Sequence, residues 1–328
     1  MSQRSKVTSP RPVPAGFRMG APGDRMAAMS KIAAWAGVAR APFLLLPVTL
    51  VAAGIAAASY DDRAYILPSV LALIGLVALH AAVNAFNEAS DMQTGIDLHT
   101  ARTPFSGGSG TLPSGALSVG GARGVGIAGS SIGLAIGLYF LVRVGWWPLS
   151  LVMAIGAVSV LTYTNVFARA GLGEIFAGLG LGLLPIIGTA LVQRGVVGPA
   201  AWAAGIPACL MTFNLLLLNE FPDELADRGG GRRNLVLLLG RRPAGWVYAL
   251  AVIATPLALL AATVAGALPT LALIGVLPAW FAMPAVRWAI ARPGEPLPIP
   301  AMAGNVIWIL STNLAVALGL SLAGWMGV

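Results

Sequence analysis

The sequence predicts an all-α, polytopic membrane protein, with about nine transmembrane helices around a central cavity and two pseudo-repeated halves. Three observations carry that prediction. The 328 residues are 57% hydrophobic and only 10% charged, with a mean hydropathy of +0.83, which is the composition of an integral membrane protein. Apolar runs recur along most of the chain, near the length of about 20 residues that crosses a hydrocarbon core of about 30 Å. An acidic pattern, N-E-x-x-D, occurs twice, at Asn87–Asp91 and at Asn219–Asp223, each time just after an apolar run.

Residues 1–30 are rich in Arg, Ser, Pro and Gly and lack the apolar centre of a cleavable signal peptide. They read as a basic, disordered arm, with some helix from Arg25 onward. The membrane domain then fills 31–328. Its spans are expected at 41–58, 66–88, 124–142, 147–166, 173–193, 199–219, 244–266, 268–286 and 301–325. Pro278 and Pro284 make the eighth the least regular. Gly and Pro in the other runs are tolerated where neighbouring helices satisfy the freed backbone groups. The single Cys209 lies inside an apolar run and has no intrachain partner for a disulfide.

The basic residues predict the orientation. With the N-terminus in the cytoplasm, that side holds Arg4, Lys6, Arg11, Arg18, Arg25, Lys31 and Arg40. Its later loops add Arg102, Arg123, Arg169, Arg228, Arg232, Arg233, Arg241, Arg242, Arg287 and Arg292. Only Arg63, Arg143 and Arg194 fall on the other side. The net charge of +8 is thereby explained by topology and anionic headgroups, without a nucleic-acid partner. The asymmetry and the basic arm fit a bacterial inner membrane.

The two acidic stretches lie on the cytoplasmic side. Asn219, Asp223 and Asp227 are four residues apart, so a continuing helix puts them on one face. Like charges so stacked repel, and something cationic must hold them. Hard divalent ions such as Mg2+ prefer carboxylate oxygens and commonly bridge to phosphate. Asn87, Asp91 and Asp97 form the corresponding set upstream. Gly229–Gly231 end the second helix, and Arg232 and Arg233 supply donors for an anion. One use of such a mouth is to bind a diphosphate through Mg2+ while a carbocation is sheltered in a dry cavity below. His80, inside the second span, reads as bonded to a neighbouring helix or as a direct participant. Asn214 is expected to line the cavity, and Asn305 and Asn313 to bond between helices. The sequence has no zinc-spaced Cys/His cluster, P-loop or Ser-His-Asp signature.

The spacings Asn87-x3-Asp91-x5-Asp97 and Asp223-x3-Asp227 resemble the two aspartate-rich motifs of the UbiA-type intramembrane prenyltransferases. The likeness covers most of the chain. It includes Arg40-Ala41-Pro42 at the first span, Leu112-Pro113-Ser114-Gly115, Gly171-Leu172-Gly173-Glu174 and Arg232-Arg233-Asn234-Leu235. Thr94-Gly95-Ile96-Asp97 and Gly-Leu-Gly-Glu are most similar to the 1,4-dihydroxy-2-naphthoate branch, which makes menaquinone precursors. The resemblance implies Mg2+-dependent transfer of a prenyl group from a polyprenyl diphosphate to a small aromatic acceptor, within the membrane. By that resemblance Asn87, Asp91 and Asp97 hold one Mg2+, and Asn219, Asp223 and Asp227 the other. Arg40, Arg102, Arg169 and Arg232 contact the diphosphate, and Tyr163 lies near the reacting carbon. The sequence departs from the pattern in placing Glu88 after Asn87, where Asp is common. It also carries a Gly/Ser-rich segment, Thr103–Gly110, where a short Arg-Pro turn is usual. That segment is expected to be a flexible flap offering backbone amides to phosphate.

Two other classes share parts of this signature. A secondary transporter has repeats and polar residues, but places its charges near the bilayer midplane rather than at helix mouths. A non-catalytic lipid-binding protein keeps the fold but has no need of the full aspartate set. Within enzymes the acceptor alternatives are 4-hydroxybenzoate, homogentisate, and a lipid alcohol of the glycerol ether type.

Overall fold

A computed structural model describes residues 30–162 and 166–328. The regular structure there is all helical, with no strand among the described residues. Ser30 accepts from the Ala33 amide at 3.2 Å and so caps a short entry helix, α1 (Lys31–Val38). The long helices follow: α2 (Ala41–Asp61) and α3 (Ile66–Thr94), the single turn α4 (Ile96–His99), then α5 (Val119–Val144) and α6 (Leu149–Thr162). After these come α7 (Gly173–Arg194), α8 (Pro199–Gly229), the short α9 (Leu235–Leu239), α10 (Arg241–Val264), α11 (Thr270–Ala291) and α12 (Ile299–Met326).

Eight of these are long and apolar enough to cross a membrane, and α6 occupies the place of the expected fourth span with 14 residues. The eighth expected span is irregular, as its prolines predict: Thr270–Ala282 is wound as 3-10 helix around Pro278 before α-helix resumes at Met283. Two helices outrun their predicted ends. α3 continues from the expected 88 to Thr94, and α8 from 219 to Gly229, straight through both acidic motifs.

The main core runs between α2, α8, α10 and α12 and includes Leu50, Met211, Leu217, Phe221, Tyr248, Leu259 and Trp308. Polar bonds cross it. Tyr248 Oη donates to Asn305 Oδ1 at 2.9 Å, and Asn313 Nδ2 donates to Thr49 Oγ1 at 3.4 Å, the interhelical role expected of both asparagines. Asn214, expected to line the cavity, is instead fully buried and donates to the Tyr248 carbonyl at 3.0 Å. Outward faces carry large exposed apolar residues, such as Ile127, Leu134 and Leu138 on α5 and Ile253, Leu257 and Leu260 on α10. Their helical spacing makes a face suited to lipid rather than water. α3 and α5 pack closely because Gly129 has no side chain where the Ala78 carbonyl passes.

Candidate active site

The ends of α3 and α8 meet at one mouth of the bundle, and the loops after them close over it. Asn87 and Asp91 stand one turn apart on α3, and Asn87 Nδ2 donates to Asp91 Oδ2 at 2.9 Å. Gly95, left-handed at φ 79°, stops the helix, and α4 carries Asp97 back into the mouth. On α8, Asn219, Asp223 and Asp227 continue along one face, as their spacing predicts. Asp91, Asp97 and Asp227 are buried and Asp223 is half-buried.

Arg232 is the link between the motifs. Its guanidinium donates to Asn87 Oδ1 at 2.8 Å, is ion-paired with Asp91, and reaches Asp227 Oδ1 at 3.4 Å. Asp227 also accepts from Asn234 Nδ2 at 2.9 Å. A second tie runs from the first loop to the second motif: Thr100 Oγ1 donates to Asp223 Oδ1 at 3.1 Å.

The 103–110 segment is held in place, contrary to the expected flexibility. Glu88 is buried and accepts from the Ser109 amide at 2.6 Å and from Ser109 Oγ at 2.7 Å. Thr103 Oγ1 accepts from the amides of Phe105 and Ser106 at 3.1 and 2.8 Å. Gly108 lies directly on Asp97. It is left-handed at φ 73°, and a Cβ there would sit 2.5 Å from Asp97 Oδ1, so both conformation and space require glycine. Covered in this way, the Asp97 carboxyl is pushed up to about 7, first by burial and then by the charges of Asp91 and Glu88. Its Oδ2 atom has no hydrogen-bond partner among the described residues.

The flanking arginines fall into two groups. Arg40 is left-handed at φ 51°, a strained conformation for a side-chain-bearing residue. It donates to the Phe105 carbonyl at 3.1 Å, and Arg102 donates to the Asp97 carbonyl at 3.2 Å, so both edge the mouth. Arg169 lies apart. It is exposed on the Ala168–Ala170 turn, and its side chain bonds no site carboxylate among the described residues. Tyr163 lies outside the described residues.

Sequence reasoning missed a supporting layer of Glu88, Thr100, Asn234 and Glu174. Glu174 accepts from the Leu235 amide at 2.6 Å, fixing the loop that carries Arg232, and it faces Glu220. The available signal was the repeated Glu after Asn in both motifs, since Glu88 and Glu220 are both buried behind the metal-type positions.

Among the described residues, no three His, Cys, Asp or Glu side chains are already grouped as a metal cage. The donor set nevertheless suits a hard divalent ion: all its atoms are oxygens, Asp97 Oδ2 is unpartnered, and a guanidinium now bridges Asp91 and Asp227. The cation that repulsion demands is supplied here by the protein itself.

Residues 45–303 match the model of the UbiA prenyltransferase family. The chain is 26% identical over 179 residues to a 1,4-dihydroxy-2-naphthoate octaprenyltransferase of Bacillus subtilis (strain 168), covering 52% of this chain and spanning 55% of that relative's length. Among solved structures, a UbiA homolog from Archaeoglobus fulgidus bound to GPP and Mg2+ aligns with a TM-score of 0.63 at 15% identity, over 87% of this chain and 99% of that one. A UbiA homolog from Aeropyrum pernix K1 aligns with a TM-score of 0.60 at 20% identity, over 87% and 98%. With both acidic motifs at one mouth of a helical bundle whose long apolar helices are those of an integral membrane protein, and the match extending over most of its length, this chain belongs to the UbiA prenyltransferase family.

Proposed function

We propose that the protein transfers a prenyl group from a polyprenyl diphosphate to an aromatic acceptor of the quinone-precursor type, 1,4-dihydroxy-2-naphthoate, with Mg2+. The observation that carries this reading is the meeting of Asp91, Asp97, Asp223 and Asp227 at one mouth with Arg232 between them. The name of the Bacillus relative supports the acceptor, and the Mg2+ and GPP of the Archaeoglobus homolog support the donor and the metal. The basic asymmetry of the loops supports a cytoplasmic mouth in a bacterial inner membrane.

In this reading Asn87, Asp91 and Asp97 hold one ion, and Asn219, Asp223 and Asp227 the other. When bound, Mg2+ neutralises diphosphate oxygens and stabilises the charge that develops on the leaving group. Arg232, released from the carboxylates, turns its fork to the diphosphate, a geometry guanidinium groups favour. Arg40 and Arg102 flank the same anion, and Arg169 approaches it from the neighbouring turn. The allylic C–O bond breaks with both electrons leaving on the diphosphate. The apolar interior keeps water from the cation. A ring carbon of the acceptor then gives an electron pair to the allylic carbon to form the new C–C bond, and the ring regains aromaticity when that carbon loses its proton, or carbon dioxide if it bears the carboxylate, the bonding pair returning to the ring.

The test uses purified protein in nanodiscs with geranylgeranyl or farnesyl diphosphate and a panel of acceptors, with Mg2+ or with EDTA, following diphosphate release and product mass. Mg2+-dependent prenylation of 1,4-dihydroxy-2-naphthoate is the expected result. Turnover only with 4-hydroxybenzoate, homogentisate or a glycerol-type alcohol overturns the acceptor and keeps the reaction. Absence of any Mg2+-dependent diphosphate binding overturns the whole reading.

A further inference from the structure

Two carboxylates meet Arg232, and each divides its oxygens in the same way. Asp91 presents Oδ1 to the guanidinium, and its Oδ2 accepts from Asn87 Nδ2 at 2.9 Å. Asp227 presents Oδ1 to the guanidinium at 3.4 Å, and its Oδ2 accepts from Asn234 Nδ2 at 2.9 Å. One oxygen of each carboxylate faces the cation, and the other is tied to a side-chain amide. The ties differ in origin. Asn87 is one turn before Asp91 on the same helix, whereas Asn234 lies beyond the end of α8, at the start of α9.

The orientation of the Asn234 amide is fixed by its second contact. The residue is the N-cap of α9, in extended backbone at φ −140°, and its Oδ1 accepts from the Leu237 amide at 2.9 Å. Only the carbonyl oxygen can meet an N–H there, so Nδ2 faces Asp227. The backbone around it is anchored on both sides. The Arg233 amide donates to the Ala168 carbonyl at 2.8 Å, the Leu235 amide donates to Glu174, and Val236 is buried in the main core. Asn234 and Asp227 are 3% and 2% exposed, so little water competes for the bond between them.

Capping alone does not call for asparagine. Asp and Ser cap helices about as well. Asp has no hydrogen to give, and the Ser hydroxyl stands one bond shorter, so the contact with Asp227 is the one that uses the amide. Its consequence follows from carboxylate coordination. An untied carboxylate can bind an ion through one oxygen or through both. Ca2+ takes about six to eight oxygens and accepts carboxylates in either mode, whereas Mg2+ demands a near-octahedral set at short distance. With Oδ2 bonded to Asn234, binding through both oxygens costs that hydrogen bond. Binding through Oδ1 alone keeps it.

We propose that Asn234 is a positioning residue that holds Asp227 to a single ligand oxygen and thereby favours Mg2+ over Ca2+ at the second motif. This selectivity rests on the reading above, in which Asp227 holds Mg2+.

The test is a binding titration on the full-length protein in nanodiscs, without acceptor. Tritiated farnesyl S-thiolodiphosphate supplies the diphosphate head without reacting, and Mg2+ or Ca2+ is raised separately until binding is half-maximal. The wild type is expected to need less Mg2+ than Ca2+. Asn234→Ser and Asn234→Gly each keep a residue that can cap α9 and remove the amide donor. In both, half-saturating Mg2+ is expected to rise about tenfold, the lower end for losing an outer partner of a metal ligand, while half-saturating Ca2+ changes little. The preference then falls about tenfold. A purely structural role would lower the melting point in EDTA and weaken both ions alike. Equal wild-type requirements for the two ions, or a ratio unchanged in either folded variant, overturns the proposal and leaves Mg2+-dependent diphosphate binding standing. Absence of any metal-dependent binding of the analogue by the wild type overturns the reading above, and this selectivity with it.

Discussion

Acidic and basic side chains gather at both ends of the bundle, to opposite effect. At the end away from the motifs, Asp62 pairs with Arg63 and Arg194, each at 3.4 Å, and the Asp62 side chain is 45% exposed. Gln193 accepts there from the Tyr65 amide at 2.8 Å and donates to Ser69 at 3.0 Å. Charges are roughly matched and wet, and the contacts pin helix ends. At the motif end Glu88, Asp91, Asp97, Glu174, Glu220 and Asp227 are buried, and Arg232 bridges two of them. Among these buried groups acid exceeds base, and solvent does not make up the difference. An exposed, balanced cluster stabilises a fold a little. A buried, unbalanced one is a standing demand for a cationic ligand.

Replacing Asp91 or Asp223 with Ala attacks that demand directly. Prenyl transfer should fall by about a thousandfold or more, the scale of losing a charge-stabilising group in the transition state, while the protein stays monodisperse. Diphosphate release assays check this, and full activity in either variant removes the metal assignment. Arg232→Met leaves Asp91 and Asp227 facing each other without their bridge. The metal-free protein should lose about 3 kcal/mol, as expected for one partner of a buried pair. Thermal melts in EDTA and in Mg2+ should differ more in this variant than in the wild type, because the ion replaces the missing charge. Glu88→Gln weakens the anchor of the 103–110 segment. Amide exchange at Ser109 should then rise by about tenfold, for the loss of one charge-assisted bond. The smallest effect belongs to the opposite end: Asp62→Asn should cost less than about 1 kcal/mol and leave turnover unchanged. A large loss there would erase the contrast.

Much of this was legible in the chain itself. The apolar runs located the spans because length and composition are local properties. The four-residue spacing put Asn219, Asp223 and Asp227 on one face because helical period is also local. The ends of α3 and α8 were read too early, since polar residues after an apolar run look like a loop. They remain helical because their side chains find partners that are distant in sequence. Arg232 bonds Asn87 across 145 residues, and Thr100 meets Asp223 across 123. The role of Glu88 was hidden for the same reason, its partner Ser109 being part of a Gly/Ser-rich stretch that composition marks as loose. Asn214 was misassigned because its distance from the motif said nothing about Tyr248, which takes its amide.

The overrun of α3 and α8 also sets a depth. Helices of 29 and 31 residues are about 44 and 47 Å long at 1.5 Å per residue, against a hydrocarbon slab of about 30 Å. The motifs occupy the final turns, so they stand at the level of the headgroups rather than among the acyl chains. A donor with an anionic head and a hydrocarbon tail already lies in a bilayer at that height. The donor proposed above can be taken up sideways, its head to the Mg2+ that the carboxylates would hold and its tail to lipid, without its charges ever being dragged into oil.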